Sequence, residues 1–196
     1  MAPLSLGFRR ERRFSPFLEH DRFFLRAPEL QDYDEWAALR EASRAHLTEW
    51  EPNWTDDDVS LEAFRRKLKS QERQRMAGQA MPLLVFDTFN GQLMGGVNLT
   101  NIRFFASCSA SIGYWIGAPF LRCGNGLGAV TAVVAYAFGT LGLNRIEAAC
   151  QPGNQPSRKL LEKAGFGLEG LARDYLFING AWRDHSIYAI VASDTE

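Results

Sequence analysis

The sequence predicts one mixed α/β (α+β) domain: a largely antiparallel sheet flanked by helices. Three observations predict it. The chain has 196 residues, 46% apolar and 23% charged, enough to bury a single large core without metals or disulfides. Asn90-Gly91 and Asn179-Gly180 each sit between two apolar runs, the preferred pair for a tight hairpin turn. Helical periods occur between these runs but not in regular alternation with strands, so too little chain remains for a parallel, doubly wound sheet.

Residues 1–20 are expected to form an N-terminal arm and residues 21–196 the domain. "FRRERR" (Phe8 to Arg13) is basic and could steer the protein toward RNA; a solvated arm laid over the domain is the simpler reading. "RFFLRAP" (Arg22 to Pro28) reads as a strand stopped by proline. Leu30, Tyr33, Trp36 and Leu39 recur at helical spacing and predict a helix to about His46. Leu47 to Asp58 is a loop whose acidic run suits the start of a second helix, marked by Leu61, Phe64 and Leu68 and ending near Gly78. Met81 to Ile102 is the first hairpin, and Ser109 to Gly117 a further strand. A glycine-rich turn then leads into a helix to about Leu141. Asn144 to Gln151 is a strand, Asn154 to Phe166 a helix closed by Gly165, and Ala172 to Val191 the second hairpin.

Composition narrows the function. Formal net charge is −1, so the whole molecule is no general polyanion binder and DNA is not an expected partner. Cys108, Cys123 and Cys150 are widely spaced, without CxxC or a nearby histidine cluster; they predict reduced thiols and no metal site. The N-terminus lacks a signal-peptide apolar core, and no apolar run reaches about 18 residues unbroken. A cytoplasmic protein with no membrane span is expected.

The most informative stretch is Cys123-Gly124-Asn125-Gly126-Leu127-Gly128, between a strand and a helix N-terminus. Backbone N–H groups without intrahelical partners, the helix dipole and missing side chains together suit a phosphate. A nucleotide P-loop is excluded, because no lysine follows Gly128. A dinucleotide fold needs GxGxxG and an acid about 20 residues on. Glu147 lies near that distance, but the glycines are spaced GxGxG and the preceding strands form an antiparallel meander.

Several strings extend the case. "NRIEA", "PGNQPSRKLLEKAGFGLEG" and "RDYLFINGAWRDHSIYA" resemble the GNAT superfamily of N-acetyltransferases over about residues 22–191. "HLTEWEP" (His46 to Pro52) and "GGVNLTNI" (Gly95 to Ile102) resemble its RimJ/RimL-type ribosomal-protein members. The superfamily pattern [QR]-x-x-G-x-[GA] aligns on the glycine loop, with Cys123 where Gln or Arg is usual and Arg122 beside it. The resemblance implies the GNAT fold and acetyl-CoA as co-substrate. It places the donor against Ile116, Arg122, Cys123, Gly124, Asn125, Gly126, Leu127, Gly128, Asn154 and Ser157.

The implied reaction is attack of a neutral amine on the acetyl thioester. Glu147 shares a strand face with Ala149 and Gln151, and could take the amine proton through a water. Ser157 could serve as proton donor to the departing thiol, with Tyr175 as rival acid. Asn and Ser also commonly satisfy free N–H groups at a helix start. Cys150 reads as core or pocket lining and His185 as structural. Trp50, Glu51, Asn98 and Asn101 are the candidate acceptor contacts. The resemblance implies transfer to a protein N-terminus, with a ribosomal protein as the model acceptor. A small amine, or CoA binding without turnover, are the alternatives, and the exposed sheet edge with the C-terminal hairpin makes a homodimer conceivable.

Overall fold

Strand alternation sorts the side chains onto two faces, and each face has its own cover. In the computed structural model, which describes residues 13–52 and 54–195, one sheet runs in the order β1-β2-β3-β4-β5-β6-β8-β7. Its strands are β1 (Leu18–Glu19), β2 (Phe23–Arg26), β3 (Met81–Asp87), β4 (Leu93–Arg103), β5 (Ser109–Ile116), β6 (Arg145–Cys150), β7 (Gly167–Ile178) and β8 (Ala181–Val191). All neighbours are antiparallel except β5 and β6. The helices are α1 (Tyr33–Ala42), α2 (Arg44–Leu47), α3 (Leu61–Met76), α4 (Asn125–Gly139) and α5 (Gln155–Lys163).

In β3, Leu83 and Val85 join the main core with the apolar α4 and with Leu161 of α5, while Leu84 and Phe86 join a second core with Trp36 and Leu39 of α1 and Phe64 of α3. Burial on both faces explains why β3 reads as an unbroken apolar run and not as an alternation. No helix among the described residues is long and apolar enough to cross a membrane.

Three boundaries differ from expectation, each for a local reason. The first predicted helix is divided: Leu30–Asp32 is a 3₁₀ turn, and α1 stops at Ala42. Buried Ser43 follows, its Oγ accepting the Ala118 N–H at 2.9 Å, which ties this bend to the segment after β5. The strand expected from Ala172 begins at Gly167, and β7 is exposed along almost its whole length. Among the described residues, those before residue 21 already pack into the fold. Phe14 is 2% exposed in the main core, Arg13 hydrogen-bonds the Leu141 carbonyl, and Tyr136 Oη donates to the Arg13 carbonyl at 2.9 Å. Buried Phe14, with Leu18 packed against the same core, ties this segment to the domain; most of the basic run (residues 8–12) lies outside the described residues.

Phe14 therefore belongs to the domain. Phe14→Ala should lower unfolding free energy by about 3–5 kcal/mol in a urea titration. Phe105→Ala, at a position 97% exposed, should stay within about 0.5 kcal/mol of the parent.

Candidate active site

The site begins where two strands part. β5 and β6 pair at Ser109–Arg145, Ala110–Ile146 and Ser111–Glu147 and no further, although both strands continue. The Gly117 N–H donates to the Met94 carbonyl at 2.9 Å, and Trp115 and Gly113 face Gly96 and Asn98 in the same register. By the two-residue alternation of the antiparallel ladder, Ile112, Tyr114 and Ile116 turn their backbone groups away from β4 and toward the gap. His46 Nε2, from α2, lies 3.1 Å from the Ile116 carbonyl oxygen at the gap's upper end.

The glycine loop closes that end, and its three glycines do three different things. Gly124 caps α4 in the left-handed region (φ +78°), where a side chain is strained. A β-carbon on Gly126 would stand 3.0 Å from Leu160 Cδ1 and 3.2 Å from Ile116 Cγ1. One on Gly128 would stand 2.8 Å from the Phe23 ring. Only Gly124 therefore keeps the backbone bare for a ligand; Gly126 and Gly128 let α4 pack against α5, β5 and β2. The Gly128 N–H bonds the Gly124 carbonyl at 3.0 Å, and no side chain caps this end. The N–H groups of Gly124, Asn125, Gly126 and Leu127 thus precede the first helical hydrogen bond, as an anion cradle requires. Asn125 is buried with Nδ2 turned onto Met94 Sδ at 3.3 Å, so it offers backbone only. Arg122 (φ +63°) and Cys123 are exposed beside the turn.

At the C-terminal end of β6, hydroxyl and thiol groups converge. Asn154 Oδ1 accepts the Ser157 N–H at 3.1 Å, capping α5. Ser157 Oγ lies 2.8 Å from Tyr114 Oη, on the side where the Cys150 thiol is buried. Burial pushes the Tyr114 phenol above its ordinary value and raises the Cys150 thiol as well, so both hold their protons near neutrality. Arg158 Nε donates to Tyr188 Oη at 3.1 Å, and Tyr188 donates to Glu162 at 3.2 Å, closing the network behind them. Tyr114 and His46 were missed at the level of sequence. Tyr114 shares the inward face of β5 with Ile112 and Ile116, a signal visible in "SASIGYWIG", but its partner lies 43 residues on.

The opposite face carries the other candidates. Glu147 Oε1 accepts from Arg145 Nε at 2.9 Å, and Arg145 also forks onto Glu169 at 2.8 and 2.5 Å. Glu147 precedes Cys150 by three residues, about 10 Å along the strand. Exposed Gly113 and Ala149 share its face, and no atom lies within 4 Å of a β-carbon placed on Gly113. Trp50 stands over the loop after β6, its Cη2 4.0 Å from the β-carbon position of Gly153.

Glu51 is already engaged by Arg40 and Trp54. Both its oxygens bind Arg40, at 2.9 and 2.5 Å, and one also accepts from Trp54 Nε1 at 2.9 Å. Arg40 stacks between Trp54 and Trp115 at 4.1 and 5.0 Å, so the carboxylate anchors this loop and is not a free acceptor contact. Asn98 lines a small cleft with Trp36, Lys67 and Trp115. Asn101 (φ +52°) donates to Ser111 Oγ at 3.4 Å near the bulge in β4. Tyr175 is half exposed on β7 against the buried His185 ring, 5.6 Å away, and the tyrosine that meets Ser157 is Tyr114. The β7/β8 register slips between Ala172 and Leu176, which re-aims the intervening side chains.

A bare anion cradle at a helix N-terminus, a gap between parallel strands and the Ser157 hydroxyl beside it suit an extended, phosphate-bearing ligand, and the comparisons identify the class as an acetyl-CoA-dependent acyltransferase. The chain belongs to the GNAT acetyltransferases: the acetyltransferase (GNAT) domain model matches residues 22–167. It is an acetyl-CoA-dependent N-acetyltransferase of the RimJ/RimL kind. The chain is 31% identical over 179 residues to the [ribosomal protein uS5]-alanine N-acetyltransferase of Escherichia coli K12, covering 90% of this chain and 91% of that protein. It is 34% identical over 173 residues to YjcK of Bacillus subtilis 168, covering 88% and 96%. Among solved structures it resembles Mycobacterium smegmatis RimJ in complex with CoA-disulfide, with a TM-score of 0.85, 29% identity, and coverage of 92% of this chain and 88% of that one.

The separate duties of the glycines are testable. Gly124→Ala should cost about 1–2 kcal/mol of stability from the left-handed conformation alone, and it should also weaken CoA binding in calorimetry. Gly128→Ala should destabilise through Phe23 and leave CoA affinity nearly unchanged in the folded fraction.

Proposed function

We propose that this enzyme acetylates the N-terminal α-amino group of a protein, and that a ribosomal protein is its acceptor. The observation that carries the reading is the open floor on the face opposite Cys150, where Gly113 and Ala149 are exposed beside the gap. A flexible peptide terminus can be laid across such a floor. A small polycationic amine calls instead for free carboxylates, and Glu51 and Glu147 are each already paired with an arginine. The whole-length likeness to the E. coli uS5-alanine enzyme supports the same acceptor class.

Acetyl-CoA supplies an activated acetyl group and a thiol leaving group. The loop N–H groups from Gly124 to Leu127 hold the diphosphate, with Ile116, Arg122, Cys123 and Asn125 around it. Asn154 orders the first turn of α5, which aims Ser157 Oγ at the gap. The Tyr114 or Ile116 N–H, left without a strand partner, donates to the carbonyl oxygen as negative charge grows there. Ser157, backed by Tyr114, donates a hydrogen bond to the departing sulphur. A phenol pushed above its ordinary value by burial does not readily surrender its proton to a departing thiolate, so the pair stabilises charge more than it delivers a proton. Glu147, held by Arg145 and set back along the strand, acts through water and not by direct abstraction.

CoA-thiol release tests the reading, with an Ala-initiated peptide, its N-blocked lysine-containing counterpart and small amines offered in parallel. Release with the free N-terminus alone is expected. Release with small amines alone would keep the enzyme class and overturn the acceptor. For the peptide, kcat/KM should climb about tenfold per pH unit while the α-amine is protonated, and level off above about pH 8. Ser157→Ala and Tyr114→Phe should each lower kcat by more than about tenfold, whereas Glu147→Gln should lower it by less.

A further inference from the structure

We propose that Arg22 is the phosphate-binding cation of the donor site, replacing in space the basic or amide side chain absent at position 123. The proposal rests on the donor-binding role of the glycine loop and is independent of which amine is acetylated. Arg22 lies just before β2, 101 residues from the loop in sequence, yet its Nη1 donates to the Cys123 carbonyl at 3.0 Å. Its Nη2 stands 3.4 Å from the position a β-carbon on Gly124 would take. The guanidinium therefore borders the one loop glycine whose backbone faces open space.

Its placement is fixed. Phe23, the next residue, is fully buried against Gly128, and His20 stacks on the Phe23 ring at 4.2 Å. The Arg22 N–H meets His20 Nδ1 at 3.3 Å, and the Arg22 carbonyl accepts the Thr88 N–H at 3.2 Å. The side chain is exposed, and no carboxylate pairs with it among the described residues. One of five N–H donors is spent on Cys123, leaving four of them and the charge for a ligand. A diphosphate seated on the N–H groups of Gly124 to Leu127 lies within reach, and a planar fork beside phosphate oxygens gives short, charge-assisted hydrogen bonds. The same contact explains why Cys123 is tolerated: position 123 contributes its carbonyl to orient Arg22, and Arg22 contributes the charge.

The test measures binding of CoA and of dephospho-CoA by calorimetry, without an acceptor, across a series of salt concentrations. Arg22→Ala should weaken both ligands by about ten- to a hundredfold, as expected for hydrogen bonds to charged groups. The dependence of log Kd on log salt should become shallower, because one ionic contact is lost. Arg22→Gln keeps a donor for the Cys123 carbonyl without the charge; it should lose as much affinity, and it serves if the alanine variant unfolds. Cys123→Arg in the Arg22→Gln background should recover part of the affinity. Unchanged affinity overturns the proposal. So does weakening with an unchanged salt slope, which would make Arg22 a loop brace only. A loss confined to CoA and absent with dephospho-CoA would assign Arg22 to the 3′-phosphate, and would also overturn the diphosphate contact.

Discussion

Everything in the site depends on β5 and β6 pairing over three residues and then separating. A parallel pair that continued would satisfy every backbone group between the strands and leave nothing for a ligand. Parting them leaves N–H and C=O groups of β5 facing a gap, a cost that folded proteins accept only where another partner supplies the bonds. Part of the compensation is internal, since His46 Nε2 meets the Ile116 carbonyl. The rest is left for an extended ligand that can run between the strands, and a pantetheine arm with its amides is such a ligand. In the function proposed, the gap sets the donor's direction, with diphosphate toward the glycine loop and sulphur toward Ser157.

The splay is held from both sides. On one face, α4 and α5 approach closely because Gly126 and Gly128 remove side chains that would collide with Leu160, Ile116 and Phe23. On the other, the bend at Ser43 grips Ala118, and Gly96 makes room for the Trp115 indole, whose Nε1 lies 2.8 Å from a β-carbon built there. Arg40 then stacks on that indole and fixes Glu51 and the loop that carries Trp50. The acceptor side is therefore shaped by a chain of packing contacts that begins at the same strand, β5, that lines the donor gap.

The sequence conveyed the parts of this that are local. Turn pairs, helical periods and the capped helix start at Asn154 depend on neighbours a few residues apart, and they could be read directly. The glycine turn before α4 was also local and visible, although two of its three glycines turn out to serve packing. What escaped was long-range. Tyr114 looked like one more strand aromatic until the fold set it beside Ser157, and Arg22 looked like the first residue of a strand. Glu51 was a candidate acceptor contact, and its pairing with Arg40, a helix and a bend away, could not be read from the sequence. Tyr175 had the right residue type in a β-run, but a slip in the β7/β8 register decides where that side chain points.

The placement of Glu147 is consistent with the acceptor proposed. An α-amine with pKa about 7.7–8.0 is neutral in roughly one molecule of eight at pH 7, whereas a lysine near 10.4 is neutral in roughly one of 2,500. The difference is about 3–4 kcal/mol of deprotonation that a lysine enzyme must find in its site. A carboxylate held by Arg145 and standing about 10 Å along the strand from Cys150 is poorly placed to provide it. It is adequate for an amine that is already substantially neutral and needs only an ordered water to carry its proton away. With the base so lightly loaded, the remaining demand falls on positioning and on the developing charge. In the reaction proposed, those tasks fall to the parted strands, the β5 N–H groups that face the gap and the Ser157–Tyr114 pair.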